Sequence, residues 1–181
     1  DAEVTIEANP DDVDGDFAQA LAFTRVNRVS LGAQSFDGEV LERLGRKHSP
    51  GQIDRAVSEL RAVGRCSISL DLIFGTPGES IDSWSATLDA AIGLGVDHIS
   101  TYALTVEPAT ALGIEVRRGG EAPDPDDQAD KWEMACELLS GARFVRYEVS
   151  NHSLPGHVCR YNLSVWGFGE YLAFGLGAHG F

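Results

Sequence analysis

Four times in its first 104 residues the chain passes from a short β-branched or apolar run to apolar residues spaced as on a helix face. No other feature limits the fold so tightly. Residues 4–8 alternate and stop at Asn9-Pro10, which predicts a strand, and Phe17, Leu21 and Phe23 predict a helix over 17–26. Residues 28–32 predict a second strand, and Val40, Leu41 and Leu44 a short helical face ending at Gly45. The next helix carries its own punctuation. Ser49 stands at the cap, Pro50 at the first position, Gln52 where a capping box places Gln or Glu, and Gly64 beyond the end. Ile53, Ala56, Val57, Leu60 and Val63 form its stripe. Ser67 to Phe74 predicts a third strand, and a helix opened by Ser80 turns Ile81, Trp84, Leu88 and Ala91 inward. Residues 98–104 predict a fourth strand. Such alternation predicts parallel βα units, in a barrel or an open α/β sheet.

The pattern then changes. Residues 117–127 are rich in Gly, Pro and acid and predict a surface loop; Pro125 and Asp126 start a helix carrying Trp132, Ala135, Cys136 and Leu139. Residues 144–149 predict a fifth strand, and from Ser150 onward the chain reads as loop, rich in Gly and aromatics. The division expected is 1–115 for the βα units and 116–181 for the end of the barrel and the start of a following α+β region.

Fourteen Lys and Arg against twenty-eight Asp and Glu give a net charge of −14, which argues against nucleic acid and against an anionic membrane surface. No apolar run approaches the ~20 residues of a membrane helix. Cys66, Cys136 and Cys159 are an odd number, far apart and without a Cys-x-x-Cys pair. A disulfide framework is therefore not expected, a reducing cytoplasmic setting is, and no metal or cluster site follows from this spacing. The chain opens on Asp1 without Met and closes on a Gly-rich stretch, which reads as a piece of a longer protein.

Strand C-termini carry the active site of parallel barrels, and here they deliver Glu7 and Asn9, Gln34 and Ser35, Asp71, then Tyr102, Thr105 and Glu107. Asp71, between Leu70 and Leu72, is the sharpest case, because a buried carboxylate is costly unless paired or ligand-bound. It either meets a ligand or is neutralised by an Arg such as Arg46. Arg46 and Lys47 follow Gly45, either as charges complementing a helix end or as a carboxylate clamp.

Gly75-Thr76-Pro77-Gly78 lacks both the Gly-x-Gly-x-x-Gly spacing and a Walker lysine, and there is no Gly-x-Ser-x-Gly or His-Glu-x-x-His. His48 and His98 read as a loop and a strand-start residue, whereas His152, His157 and His179 fall in the Gly- and aromatic-rich tail, where a ligand role is more plausible. The glycines from 167 to 180 suit either backbone lying against a flat ligand or tight turns.

Taken in order, several segments resemble one family. They are residues 5–10 (TIEANP), 27–36 (NRVSLGAQSF), 70–78 (LDLIFGTPG), 99–108 (ISTYALTVEP), 147–151 (YEVSN) and 175–180 (GLGAHG). Together they are similar to the radical S-adenosylmethionine family that contains oxygen-independent coproporphyrinogen dehydrogenase and the HemW-type heme chaperones. The resemblance implies the C-terminal part of an incomplete (β/α) barrel with adenosylmethionine lying across the strand ends. It implies that Glu7 contacts the cofactor ribose and that Gln34, Arg46 and Asp71 are polar contacts. Thr105 occupies a further contact position, reached through its backbone.

Two departures matter. The three-cysteine motif for a [4Fe–4S] cluster is absent and is expected upstream, so these residues alone are expected to be inactive. The His-Asn-x-x-Tyr-Trp motif that the chaperones associate with heme reads Tyr161-Asn162-Leu163-Ser164-Val165-Trp166, so Tyr161 replaces the histidine as candidate ligand. Ser35-Phe36, where the dehydrogenases have Asp-Phe, and the Gly-Ala-His-Gly tail favour the chaperone branch. The resemblance thus implies a cytoplasmic heme carrier with acceptor proteins and a homodimeric state as further expectations. The alternative is a coproporphyrinogen III oxidase acting by radical oxidative decarboxylation.

Overall fold

The computed structural model describes residues 2–64, 66–178 and 180. Four strands run parallel in chain order: β1 (Thr5–Ala8), β2 (Arg28–Gln34), β3 (Ser67–Phe74) and β4 (His98–Ala103). Beyond β4 the sheet turns antiparallel through β6 (Asn151–Ser153) and then β5 (Val145–Arg146), giving the order β1-β2-β3-β4-β6-β5. The sheet is mixed α/β and open rather than closed.

Helices α1 (Gly15–Leu21), α2 (Gly38–Arg43), α3 (Pro50–Val63) and α4 (Ile81–Gly93) connect the parallel strands, followed by α5 (Ala111–Arg117), α6 (Pro125–Gly141) and α7 (Arg160–Trp166). The punctuation of α3 works as read. Gln52 Oε1 accepts from the Ser49 N–H at 3.0 Å and from Ser49 Oγ at 3.1 Å, and Gly64 adopts φ +68° beyond the last turn.

One face of the sheet is apolar. Val29, Leu31, Ala33, Ile68, Leu70, Leu72 and Ile99 are all fully buried against Ile53 and Ala56 of α3, Trp84, Leu88 and Ala91 of α4, and Ala135 and Leu139 of α6. Because side chains alternate across a strand, the residues between these point to the opposite face. That face is polar, and it holds the site.

Several expectations need correction. The first helix stops at Leu21 rather than 26, because the Thr24 hydroxyl bonds the Leu21 carbonyl at 2.8 Å and turns the chain away, leaving Phe23 exposed. Ile81 sits in the first turn of α4, 38% exposed, while Trp84, Leu88 and Ala91 are buried. The run 144–149 forms only the two-residue β5, and the stretch read as loop from Ser150 contains β6 and α7. α5 precedes the acidic loop; the Thr110 hydroxyl caps it by accepting from the Gly113 N–H at 3.1 Å. No helix among the described residues is long and apolar enough to cross a membrane.

Candidate functional site

Register decides which side chains meet. Glu7 pairs with Ser30, Ser30 with Ser69, Ser69 with His98, and Asp71 with Ser100, so one polar row crosses the open face from β1 to β4. These residues, with Arg28 at the floor and Gln34, Tyr102 and Thr105 at the rim, line a cavity of about 810 Å³ that α7 covers with Tyr161 and Asn162. Five of the six residues singled out in the sequence (Glu7, Gln34, Asp71, Thr105 and Tyr161) border it. The sixth, Arg46, lines an adjoining recess of about 350 Å³ shared with Glu7, Asn9, Gln34 and Asp71.

Asp71 Oδ2 accepts from Ser30 Oγ at 2.8 Å, and Ser100 supplies a second side-chain hydrogen bond. Burial pushes its carboxyl above the usual 3.8; the two serines act in the opposite direction, and the Glu7 carboxylate adds to the rise. Arg46 does not neutralise it. Its Nη1 donates instead to Asn9 Oδ1 at 3.3 Å, and among the described residues no cation pairs with Asp71. Two carboxylates therefore face the recess with polar but uncharged neighbours and one guanidinium at its edge, an acceptor set suited to a ligand carrying positive charge or hydroxyl groups.

Gln34 closes β2 at an irregularity in the ladder, with φ +64°. A non-glycine residue pays roughly 1–2 kcal/mol there, and the strain turns its amide into the cavity. Gly32 makes room for that amide, since a Cβ at 32 would stand 2.9 Å from Gln34 Nε2. Thr105 is exposed at the rim. Its backbone is held through Leu104, whose N–H donates to the Phe74 carbonyl at 2.9 Å and whose carbonyl accepts from Gln128 Nε2 at 3.0 Å.

Other expected rim residues lie elsewhere. Ser35 is buried against the Thr87 hydroxyl at 3.2 Å, Glu107 does not reach the cavity, and Asn9 reaches only the smaller recess. His152 pairs with Ile99, placing it on the helix-covered face, where burial pushes its pKa down to about 4. His157 sits at the opposite end of the strands, its Nδ1 3.1 Å from Ser67 Oγ. Neither histidine approaches the cavity. His179 lies outside the described residues.

The floor was missed. His98, read as a strand-start residue, lines the cavity with Nδ1 2.8 Å from Ser69 Oγ and Nε2 2.8 Å from the Tyr147 hydroxyl. Burial, aided by the Arg28 charge, pushes its pKa down to about 3, so the ring is neutral at physiological pH. Burial pushes Tyr147 up to about 12. The signal was present in β3 as Ser67, Ser69 and Asp71 at every second position, the mark of a strand with one wet face.

The three cysteines stand apart, and no group of His, Cys, Asp or Glu among the described residues could hold a metal ion. This segment does not fit an iron–sulfur cluster by itself.

The radical SAM superfamily model matches residues 1–91. The chain is 48% identical over 182 residues to a heme chaperone HemW of Mycobacterium tuberculosis (strain ATCC 25618 / H37Rv), covering 100% of this chain and 47% of that protein. It is 42% identical over 180 residues to heme chaperone HemW of Escherichia coli (strain K12), covering 99% and 47%. It thus spans about half the length of these curated relatives. Among solved structures, coproporphyrinogen III oxidase (HemN) from Escherichia coli, described as a radical SAM enzyme, superposes with a TM-score of 0.81 at 21% identity, over 99% of this chain and 44% of that one. That likeness shows the fold: the open sheet here fits the incomplete barrel that the family resemblance implied, and its parallel βα units are those the strand–helix alternation predicted. With half its length under the family model and its fold shared with a radical SAM enzyme, the chain belongs to the radical SAM superfamily.

Proposed function

We propose that this chain forms the adenosylmethionine- and heme-binding part of a heme chaperone. The observation that carries the reading is 48% and 42% identity, along essentially the whole chain, to proteins named heme chaperone HemW. Superfamily membership implies adenosylmethionine and a [4Fe–4S] cluster, whose thiolates this segment does not supply. Adenosylmethionine, when bound beside a reduced cluster, supplies a 5′-deoxyadenosyl radical in the family.

In this reading Glu7 binds the cofactor ribose and Asp71 faces its cationic end, relieved of a charge that burial disfavours. Gln34 and Arg46 complete the recess, and the Thr105 backbone closes the rim. Heme is the cargo, with the Tyr161 phenol as iron ligand: Tyr161 borders the main cavity, while His152 and His157 lie away from it. A tyrosine can hold heme iron as a phenolate, and bound iron favours that form. Acceptor proteins, a cytoplasmic setting and a homodimer belong to the same proposal.

The test uses the full-length protein, anaerobically reconstituted with its cluster and titrated with hemin. A stoichiometric Soret band, with a tyrosinate-to-iron charge-transfer band that Tyr161→Phe abolishes, is expected. Conversion of coproporphyrinogen III to protoporphyrinogen in the presence of adenosylmethionine and a reductant would overturn the reading in favour of an oxidase.

A further inference from the structure

α7 buries none of its own residues, yet it presents Tyr161 and Asn162 to the main cavity. Seven residues are far too few to hold a helix by themselves in water, and this one has no apolar face in the core. Polar anchors must seat it, and they converge on two side chains from the other end of the sequence.

Glu3 lies across the N-terminus of α7. Its Oε1 accepts from the Arg160 N–H at 3.1 Å and the Tyr161 N–H at 3.4 Å, and its Oε2 from the Arg160 N–H at 3.2 Å. A carboxylate here satisfies donors that have no partner within the helix and complements the helix dipole. Arg28, the first residue of β2, is 4% exposed. Its Nη2 donates to the carbonyls of His157 at 2.7 Å and Val158 at 3.0 Å, the two residues ahead of the Cys159 cap, and its Nε faces Glu3 Oε2 at 3.4 Å. On the cavity side, the Tyr147 hydroxyl joins His98 Nε2 to the Asn162 side chain. Among the described residues, the hydrogen-bond partners of these two side chains lie in residues 157–161.

We infer that the Glu3–Arg28 pair is a positioning device that seats α7 over the cavity and aims Tyr161 into it, an inference that rests on Tyr161 as the heme ligand. Replacing either partner frees the helix N-terminus and lets the phenol leave the iron's reach, while the sheet and its other helices keep their core.

The experiment compares full-length wild type with Glu3→Gln, Arg28→Met and Arg28→Lys. Hydrogen–deuterium exchange over residues 159–166 is measured without heme, and the tyrosinate charge-transfer band with hemin. In Glu3→Gln and Arg28→Met, exchange should rise at least roughly tenfold and most of the band should vanish, with Arg28→Lys intermediate. Glu3→Gln, the milder change, covers the case in which Arg28→Met does not fold. Wild-type exchange rates in folded variants would overturn the inference, as would faster exchange with the band intact. If Tyr161→Phe leaves the heme spectrum unchanged, the ligand reading fails, and the exchange comparison still upholds or refutes the seating of α7.

Discussion

Asp71→Asn should move stability and cofactor affinity in opposite directions. In the ligand-free protein the Asp71 carboxylate is desolvated, held by two serines and faced by Glu7, with no cationic partner among the described residues. Asparagine keeps an acceptor for Ser30 and sheds the charge. A functional site relieved of such a group commonly gains about 0.5–2 kcal/mol, or roughly 2–4 °C in melting temperature per kcal/mol for a domain of this size. The size of the gain depends on pH. Because the folded-state pKa lies above 3.8, the folded chain holds this proton more tightly than the unfolded chain does, and stability falls as pH rises from 3.8 through the folded value. The advantage of Asn is therefore absent below pH 3.8 and complete above the folded pKa. Binding goes the other way: a hydrogen bond to a charged group is worth about 1.5–3 kcal/mol, so adenosylmethionine affinity should fall by about ten- to a hundredfold. Thermal melts at pH 3.5 and 7.5, with calorimetry on the cluster-loaded full-length protein, read both quantities. A variant that melts below wild type at pH 7.5 and binds the cofactor equally well would refute the argument.

Gly32→Ala drives a Cβ to 2.9 Å from Gln34 Nε2, and should cost about 1–3 kcal/mol of stability together with several-fold in adenosylmethionine affinity, measured by urea titration and calorimetry. Lys131 is wholly buried, its Nζ donating to Asp127 Oδ2 at 2.6 Å and to the Glu79 carbonyl at 2.7 Å, with Glu79 Oε2 at 3.5 Å. Lys131→Met should cost about 3–5 kcal/mol by urea titration, and adding Glu79→Gln should return part of the loss. Leu88→Ala, at a fully buried position of α4, should cost about 2–5 kcal/mol in the same assay.

Local chemistry separates what could be read in the sequence from what could not. α3 and β3 emerge with the expected bounds because Ser49, Pro50 and Gly64, or eight residues that alternate polar and apolar before closing on Ile73-Phe74, carry their signals within the element. α7 gives no such signal. Its stripe is exposed, and its anchor is Glu3, 157 residues away from Arg160 in the chain. β6 likewise exists by pairing with β4 and β5, which three residues cannot announce. The rim residues Glu7, Gln34 and Asp71 were legible as polar groups at strand ends. Arg28 and His98 were not, because each opens its strand, where a charged or titratable residue ordinarily meets water. Only the register shows that these first residues turn into the cavity rather than out of the protein.

The two margins of the sheet are unequal. At one, β5 is two residues long and too short to template anything. At the other, β1 presents the outer backbone groups of Thr5–Ala8, with no neighbouring strand among the described residues. Extension of this sheet is therefore directional: any added strand joins beside Glu7 and lengthens the cavity wall from that side.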